Sequence, residues 1–183
     1  MKKSPIVTVV AIGIGAALVF VLGRFVAIPS PVPNTNISLQ YGLLAFMAAL
    51  FGPVAGCLIG LIGHAFIDFS YGWGIWWSWV IASAAFGALM GLVSRKLRLD
   101  AGEFDKKAIV GFLLAVVIGH AAAWFVVAPV LDIAIYAEPA NKVFIQGLVA
   151  GVSNIVTTAI VGTLLCAAYA AAKPKKGSLR EEE

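Results

Sequence analysis

The sequence predicts an all-α integral membrane protein, a compact bundle of six transmembrane helices with both termini in the cytoplasm. Three observations support this fold class. Hydrophobic residues make up 61% of the 183 residues, well above the roughly 45–50% of a soluble domain. Charged residues make up only 12%, about half the usual share. The basic residues are also distributed along the chain as six spans require.

Four apolar segments are long enough to cross a bilayer, which takes about 20 apolar residues. The first segment follows Lys2 and Lys3 and so resembles a signal peptide. Its apolar run is too long for one and no Ala-x-Ala cleavage site follows it, so we expect a retained span. The four segments are Ile6–Ile28, Ile75–Ser94, Ala108–Ala128 and Val143–Ala172.

A fifth apolar region, Ile37–Ile67, is short for two spans and long for one. Gly52-Pro53 lies at its centre, and this pair turns or breaks helices. Basic residues concentrate on cytoplasmic flanks. If the region crosses twice, all Lys and Arg residues except Arg24 and Lys142 fall on the cytoplasmic side. If it crosses once, most of them fall outside, so the two-crossing hypothesis is preferred.

The eight prolines are predicted to lie at span boundaries or in loops, with none interrupting a span. The predicted outer loops are residues 29–40, 68–75 and 129–142. The inner connections are the Gly52-Pro53 turn and residues 95–107. We therefore expect one transmembrane domain over residues 1–172, followed by a charged cytoplasmic tail over residues 173–183.

Polar and aromatic side chains concentrate at the predicted outer end of the bundle, where all five tryptophans lie. A membrane-interface belt would place aromatic residues at both faces, and the inner face has no tryptophan. The asymmetry favours an outward-facing pocket that stacks a planar or bulky ligand. Some tryptophans are still expected to belong to a belt, and Trp124 is predicted to face lipid.

Several polar residues in the spans have more than one interpretation. His64 and Asp68 share a helix face, so Asp68 could fix the tautomer of His64. His64 is either a ligand contact or a structural histidine. Arg24 could snorkel to the interface or pair with Asp68. Asn154 could line the floor of the pocket or bond a neighbouring helix.

Small residues spaced four apart permit close helix packing in lipid. The first span contains two overlapping pairs, Ala11-x-x-x-Gly15 and Gly13-x-x-x-Ala17. Two roles are open for them, packing within the bundle and docking of a second protein.

The sequence lacks the motifs of several function classes. It has no Gly-x-x-x-x-Gly-Lys-Ser/Thr loop, so the chain is not expected to hydrolyse ATP. It has no His-Glu-x-x-His, serine–histidine or metal-ligand spacing, so neither an enzyme nor a metal site is expected. No ionisable residue lies between the outer polar layer and the cytoplasm, which argues against a proton-coupled pump.

The loop from Ile28 to Tyr41, with its Pro-Asn sequence, is distinctive, and so is the stretch from Leu50 to Ala65 that contains Gly-His-Ala. With Asp68 and the tryptophans that follow, these stretches resemble the riboflavin-type S components of energy-coupling-factor (ECF) transporters, over most of the chain. The resemblance implies a subunit of the bacterial cell membrane that captures one vitamin, a flavin or cobalamin, at its outer face.

The resemblance also implies partners and a docking surface. The partners are a transmembrane coupling protein and two cytoplasmic ATPases, which use the ATP, while the S component has no cofactor of its own. The first span is implied as the docking surface, through Ala11, Gly13, Gly15 and Ala17. The candidate substrate-binding residues come from the polar and aromatic layer at the outer end: Asn34, Asn36, Gln40, Tyr41, His64, Asp68, Tyr71, Trp73, Trp76, Trp77 and Gln146.

Two other functions compete with this interpretation. A stand-alone secondary transporter would need a polar path through the membrane midplane, and the apolar inner halves of the spans argue against one. A non-transporting membrane scaffold would have no need for a polar, aromatic layer confined to the outer end.

Overall fold

The computed structural model describes residues 4–72 and 74–173, and these residues form a bundle of six helices, as predicted. Five of the helices are long and apolar enough to cross a membrane, and the second is shorter. The predicted tail lies outside the described residues except for Lys173. The helices are α1 (Pro5–Phe25), α2 (Gln40–Phe51), α3 (Pro53–Tyr71), α4 (Trp77–Val93), α5 (Lys106–Tyr136) and α6 (Ala140–Ala172).

The ambiguous fifth apolar region folds into the hairpin of α2 and α3. Gly52 joins the two helices with a φ of +88°, a conformation that favours glycine, and Pro53 begins α3. Gly56 packs against Ala48 on the other arm of the hairpin, where an added Cβ would lie 2.7 Å from the Ala48 Cβ. The Gly52-Pro53 pair therefore reverses the chain direction, as the charge pattern predicted.

Glycines bring α3 and α4 into backbone contact. A Cβ at Gly60 would lie 2.5 Å from the Ser83 carbonyl oxygen. A Cβ at Gly56 would likewise meet the Gly87 carbonyl oxygen. Small residues permit this close approach of helices in lipid. The contact places Ser83 of α4 beside the face of α3 that carries His64.

The fifth span extends beyond its predicted end at Ala128. Pro129 was expected in a loop, and that prediction was wrong, because α5 runs through Pro129 to Tyr136. Residues Ala123–Val127 form a π-helical turn, in which the Ala128 N–H donates to the Ala123 carbonyl, five residues back. Such a turn locally re-routes the hydrogen-bond ladder, and the helix continues past the proline.

A short β-hairpin, which the all-helical prediction did not include, covers one end of the bundle. Strands β1 (Ile28–Pro29) and β2 (Asn36–Ile37) pair antiparallel. Two side chains of α6 hold the segment in place: Gln146 Nε2 donates to the Pro33 carbonyl (3.0 Å) and Thr157 Oγ1 to the Ser38 carbonyl (2.9 Å). We call this end the hairpin end and the opposite end, with residues 95–107, the basic end.

The four residues of α1 predicted as a docking surface do not share one environment. Ala11 and Gly15 are buried in the bundle, and a Cβ at Gly15 would lie 2.8 Å from Ile59 Cδ1. Gly13 and Ala17 are exposed, and nothing lies within 4 Å of a Cβ built on Gly13. Intramolecular packing thus accounts for one pair and leaves the other on the surface.

Candidate substrate-binding site

A cavity of about 230 Å³ opens at the hairpin end. A second lobe of about 100 Å³ adjoins it and reaches Tyr41, Trp124 and Asn154. We call them the main lobe and the inner lobe. Residues shared by both lobes are Asn34, His64, Asp68 and Trp79, and the main lobe is completed by Trp76, Asp132, Glu138, Lys142 and Gln146.

Asp132 organises the wall of the main lobe. Its carboxylate is 2% exposed and accepts three hydrogen bonds from the start of α4. Trp76 Nε1 and Ser78 Oγ both donate to Oδ1 at 2.5 Å, and Trp79 Nε1 donates to Oδ2 at 3.0 Å. Charged acceptors make the stronger protein hydrogen bonds, so this single carboxylate orients two indole rings at the cavity.

A chain of polar contacts crosses the helices beside the cavity. The Trp76 backbone N–H donates to Asp68 Oδ2 (2.9 Å), and Asp68 Oδ1 lies 3.6 Å from His64 Nε2. His64 Nδ1 is hydrogen-bonded to Ser83 Oγ (2.5 Å), which is also within 3.0 Å of the Tyr41 hydroxyl. These polar contacts connect α2, α3 and α4 at one level of the bundle.

Trp124 does not face lipid, contrary to prediction. It is 1% exposed, and its Nε1 donates to His120 Nδ1 (2.9 Å). An indole nitrogen only donates, so His120 carries its proton on Nε2, which donates to Thr158 Oγ1 (2.9 Å). The π-helical turn that contains Trp124 lies against α6, where a Cβ on Gly147 would meet the Trp124 carbonyl oxygen.

Two stacked aromatic pairs border the cavity. Trp76 and Tyr136 stack with ring centroids 4.3 Å apart, and Trp79 and Trp124 stack at 5.4 Å. Tyr41 meets the Trp124 ring edge-on at 5.3 Å. Rings held in this way present flat apolar faces of fixed orientation, which suit a planar ligand.

Two residues that line the inner lobe, Asn154 and Gln40, each carry a buried side-chain oxygen with no partner among the described residues. Asn154 is 2% exposed, and its Oδ1 accepts no hydrogen bond. Leaving a buried acceptor unsatisfied costs about 1–3 kcal/mol, so a ligand that donates to this oxygen would recover a hydrogen bond. Gln40 Oε1 is also unpartnered, but it lies against Gly23 of α1.

The cavity brings together most of the predicted substrate-binding residues. Trp77 is different, since it lines neither lobe and is 46% exposed, and Trp73 lies outside the described residues. Arg24 lies over the Tyr71 ring at 4.4 Å rather than pairing with Asp68. Predicted residues that line the cavity are Asn34, Asn36, Gln40, Tyr41, His64, Asp68, Tyr71, Trp76 and Gln146.

The predicted site omitted several residues that line the cavity. One signal could have identified Asp132, a carboxylate isolated in an apolar segment, because such a residue is costly in a membrane protein. The omitted lining residues include Trp79, Trp124, Asp132, Glu138 and Lys142.

The fold and the cavity define a multi-pass membrane protein with a small-molecule site at one end of its helical bundle. The model of the family "ECF-type riboflavin transporter, S component" matches residues 3–171, and the chain belongs to this family. It is therefore a substrate-binding subunit of an ECF transporter in the cell membrane, and not an enzyme.

The chain is also similar to curated relatives and to solved structures. A UPF0397 protein of Staphylococcus aureus strain Newman is 51% identical, with all of both chains covered. The structure of ThiT from Listeria monocytogenes superposes with a TM-score of 0.71 at 20% identity, covering 90% of this chain and 95% of that one. The S-component for biotin from an ECF-type ABC transporter gives 0.60 at 20% identity, covering 87% and 90%. The two structures share the fold.

Proposed function

We propose that this subunit captures riboflavin or a closely related flavin in the cavity at the hairpin end. The observation that carries the proposal is the pairing of flat aromatic faces with an unpartnered buried acceptor. Trp76 and Trp79 offer the faces, and Asn154 Oδ1 offers the acceptor. An isoalloxazine ring is planar, and its imide N–H can donate to such an oxygen.

The size of the cavity also supports a flavin over cobalamin. Only when taken together do the main and inner lobes, about 230 and 100 Å³, reach the lower end of the roughly 300–1,000 Å³ of small-molecule sites. A corrinoid is several times larger than a flavin and would require the hairpin segment to leave α6. Gln146 and Thr157 hold that segment by hydrogen bonds.

In the proposed cycle the subunit has no cofactor of its own and takes no part in ATP hydrolysis. A transmembrane coupling protein and two cytoplasmic ATPases, the partners that family membership implies, release the vitamin on the other side. Of the small residues of α1, Gly13 and Ala17 are the pair available for docking, since both are exposed.

Calorimetric titration of the purified protein with riboflavin and with cyanocobalamin tests the proposal. We expect saturable binding of one riboflavin per chain and no heat of binding with cyanocobalamin. Riboflavin uptake by cells that express the chain with its three partners should stop when the ATPases are made inactive. Binding of cyanocobalamin, or of neither vitamin, would contradict the flavin assignment.

A further inference from the structure

We infer that this cavity selects a vitamin without negative charge, so that it binds the free vitamin and rejects its phosphate ester. The inference rests on the proposed function and concerns the charge of the ligand that the same site takes. Three carboxylates line the main lobe, those of Asp68, Asp132 and Glu138.

Positive charge in the cavity is scarce and already engaged. Lys142 is the one Lys or Arg among the described residues that line either lobe, and its ammonium lies 2.7 Å from Glu138 Oε2. Arg24 is near, but it lies over Tyr71 and lines neither lobe. A phosphate in the main lobe would therefore meet carboxylates without a free cation, and like charges in contact oppose binding strongly.

The indole N–H groups at the cavity are occupied as well. The indole N–H groups of Trp76 and Trp79 point at Asp132, and that of Trp124 points at His120. Helix N-termini can attract anions, but the first N–H groups of α4 are taken. The Trp76 N–H donates to Asp68, and the Trp77 N–H donates to the Tyr136 hydroxyl (2.9 Å).

The unpartnered side-chain oxygen of Asn154 in the inner lobe favours a hydrogen-bond donor over an anion. Asn154 Oδ1 accepts a hydrogen bond and cannot donate one. A phosphate oxygen placed there would face another acceptor, whereas an N–H or O–H group of a neutral ligand would satisfy it. Charge and hydrogen-bond polarity thus favour the same ligand, one rich in donors and free of phosphate.

Riboflavin and flavin mononucleotide differ only by a phosphate, so a calorimetric comparison of the two tests the inference. We expect riboflavin to bind at least about tenfold more tightly. Glu138→Gln removes one carboxylate and releases the Lys142 ammonium, so it should narrow the ratio of the two dissociation constants. Glu103→Gln breaks an exposed ion pair with Arg98 at the basic end and should leave the ratio unchanged. Equal or tighter binding of the mononucleotide by the unmodified protein would overturn the inference.

A measurement without vitamin separates the two proposals, because absence of riboflavin binding would contradict only the proposed function. Caesium and iodide quench tryptophan fluorescence, and an acidic cavity concentrates the cation. In a Trp77→Phe background, the caesium-to-iodide quenching ratio should exceed that of N-acetyltryptophanamide, and Glu138→Gln should reduce it. A ratio at or below the reference value would overturn the inference on charge.

Discussion

At the scale of single residues, the wall of the cavity depends on Asp132. Its carboxylate receives two indole N–H groups and one hydroxyl, all from residues 76–79. Because these donors lie at or just before the start of α4 and the acceptor lies on α5, the interaction fixes the aromatic rings and joins two helices. Hydrogen bonds to a charged group contribute about 1.5–3 kcal/mol each, so the loss of one is measurable.

Asp132→Asn keeps the size of the side chain but removes its charge and replaces one acceptor oxygen with a donor. We expect riboflavin binding to weaken at least about tenfold, because Trp76 or Trp79 then faces an NH₂ group. Calorimetry on the purified variant measures the change. Asp105→Asn is the matched control, since Asp105 caps α5 at the basic end and asparagine caps equally well. Unchanged affinity in Asp132→Asn would show that the cluster does not support the site.

The burial of Trp124 could not be predicted from the sequence. Nearly every position of α5 around it is apolar, so no polar stripe indicates which face meets lipid. The π-helical turn over Ala123–Val127 also shifts the angular positions of the residues that follow it. Asn34, His64 and Asp68 could be predicted as site residues because polar groups in a membrane protein are costly and rarely lack a role.

At the scale of helices, α1 combines two surfaces. Ala11 and Gly15 face the bundle, where Gly15 meets Ile59 and Met47. Gly13 and Ala17 lie on the other face, which the described residues leave uncovered. A stripe of small residues permits close approach of another helix in lipid, so only the second pair is placed to meet the coupling protein.

Replacement of Gly13 by Leu tests this division of α1. Vitamin uptake with the partner subunits should be lost, while riboflavin binding to the isolated subunit stays near that of the unmodified protein. Ala134→Leu enlarges an exposed small residue of α5 and should leave both intact. Gly15→Leu should reduce binding and thermal stability together, because its side chain would enter the bundle. Normal uptake by Gly13→Leu would show that α1 is not the docking surface.

The helices themselves were largely predictable from the sequence. Apolar length identified four spans, and Gly52-Pro53 with the basic residues indicated a hairpin in the fifth apolar region. The end of α5 was not predictable, because a proline ordinarily ends a helix and the π-helical turn before Pro129 has no marker in the sequence. The β-hairpin was missed for a similar reason, since its two-residue strands are too short to show an alternating pattern.

At the scale of the whole molecule, capture of a vitamin from outside the cell requires one orientation of the bundle in the membrane. The basic end carries Arg95, Lys96, Arg98, Lys106 and Lys107, and the positive-inside rule predicts that it faces the cytoplasm. The cavity at the hairpin end would then open to the outside, where a vitamin is captured.

Cysteine labelling in intact cells tests this orientation. In a background without Cys57 and Cys166, a cysteine at Asn36 should react with a membrane-impermeant maleimide. A cysteine at Asp100 should react only after the cells are permeabilised. Labelling at Asp100 from outside would show the opposite orientation, in which the cavity opens to the cytoplasm.

The central claim is that the cavity at the hairpin end binds the vitamin. Riboflavin titration of variants at two adjacent tryptophans tests it most directly. Trp76 lines the main lobe, whereas Trp77 lines neither lobe and is 46% exposed. Riboflavin titration of Trp76→Ala should show affinity at least about tenfold weaker, equivalent to roughly 1.4 kcal/mol, since a stacking face is lost. Trp77→Ala should bind like the unmodified protein. Equal affinities in the two variants, or a larger loss in Trp77→Ala, would contradict the account.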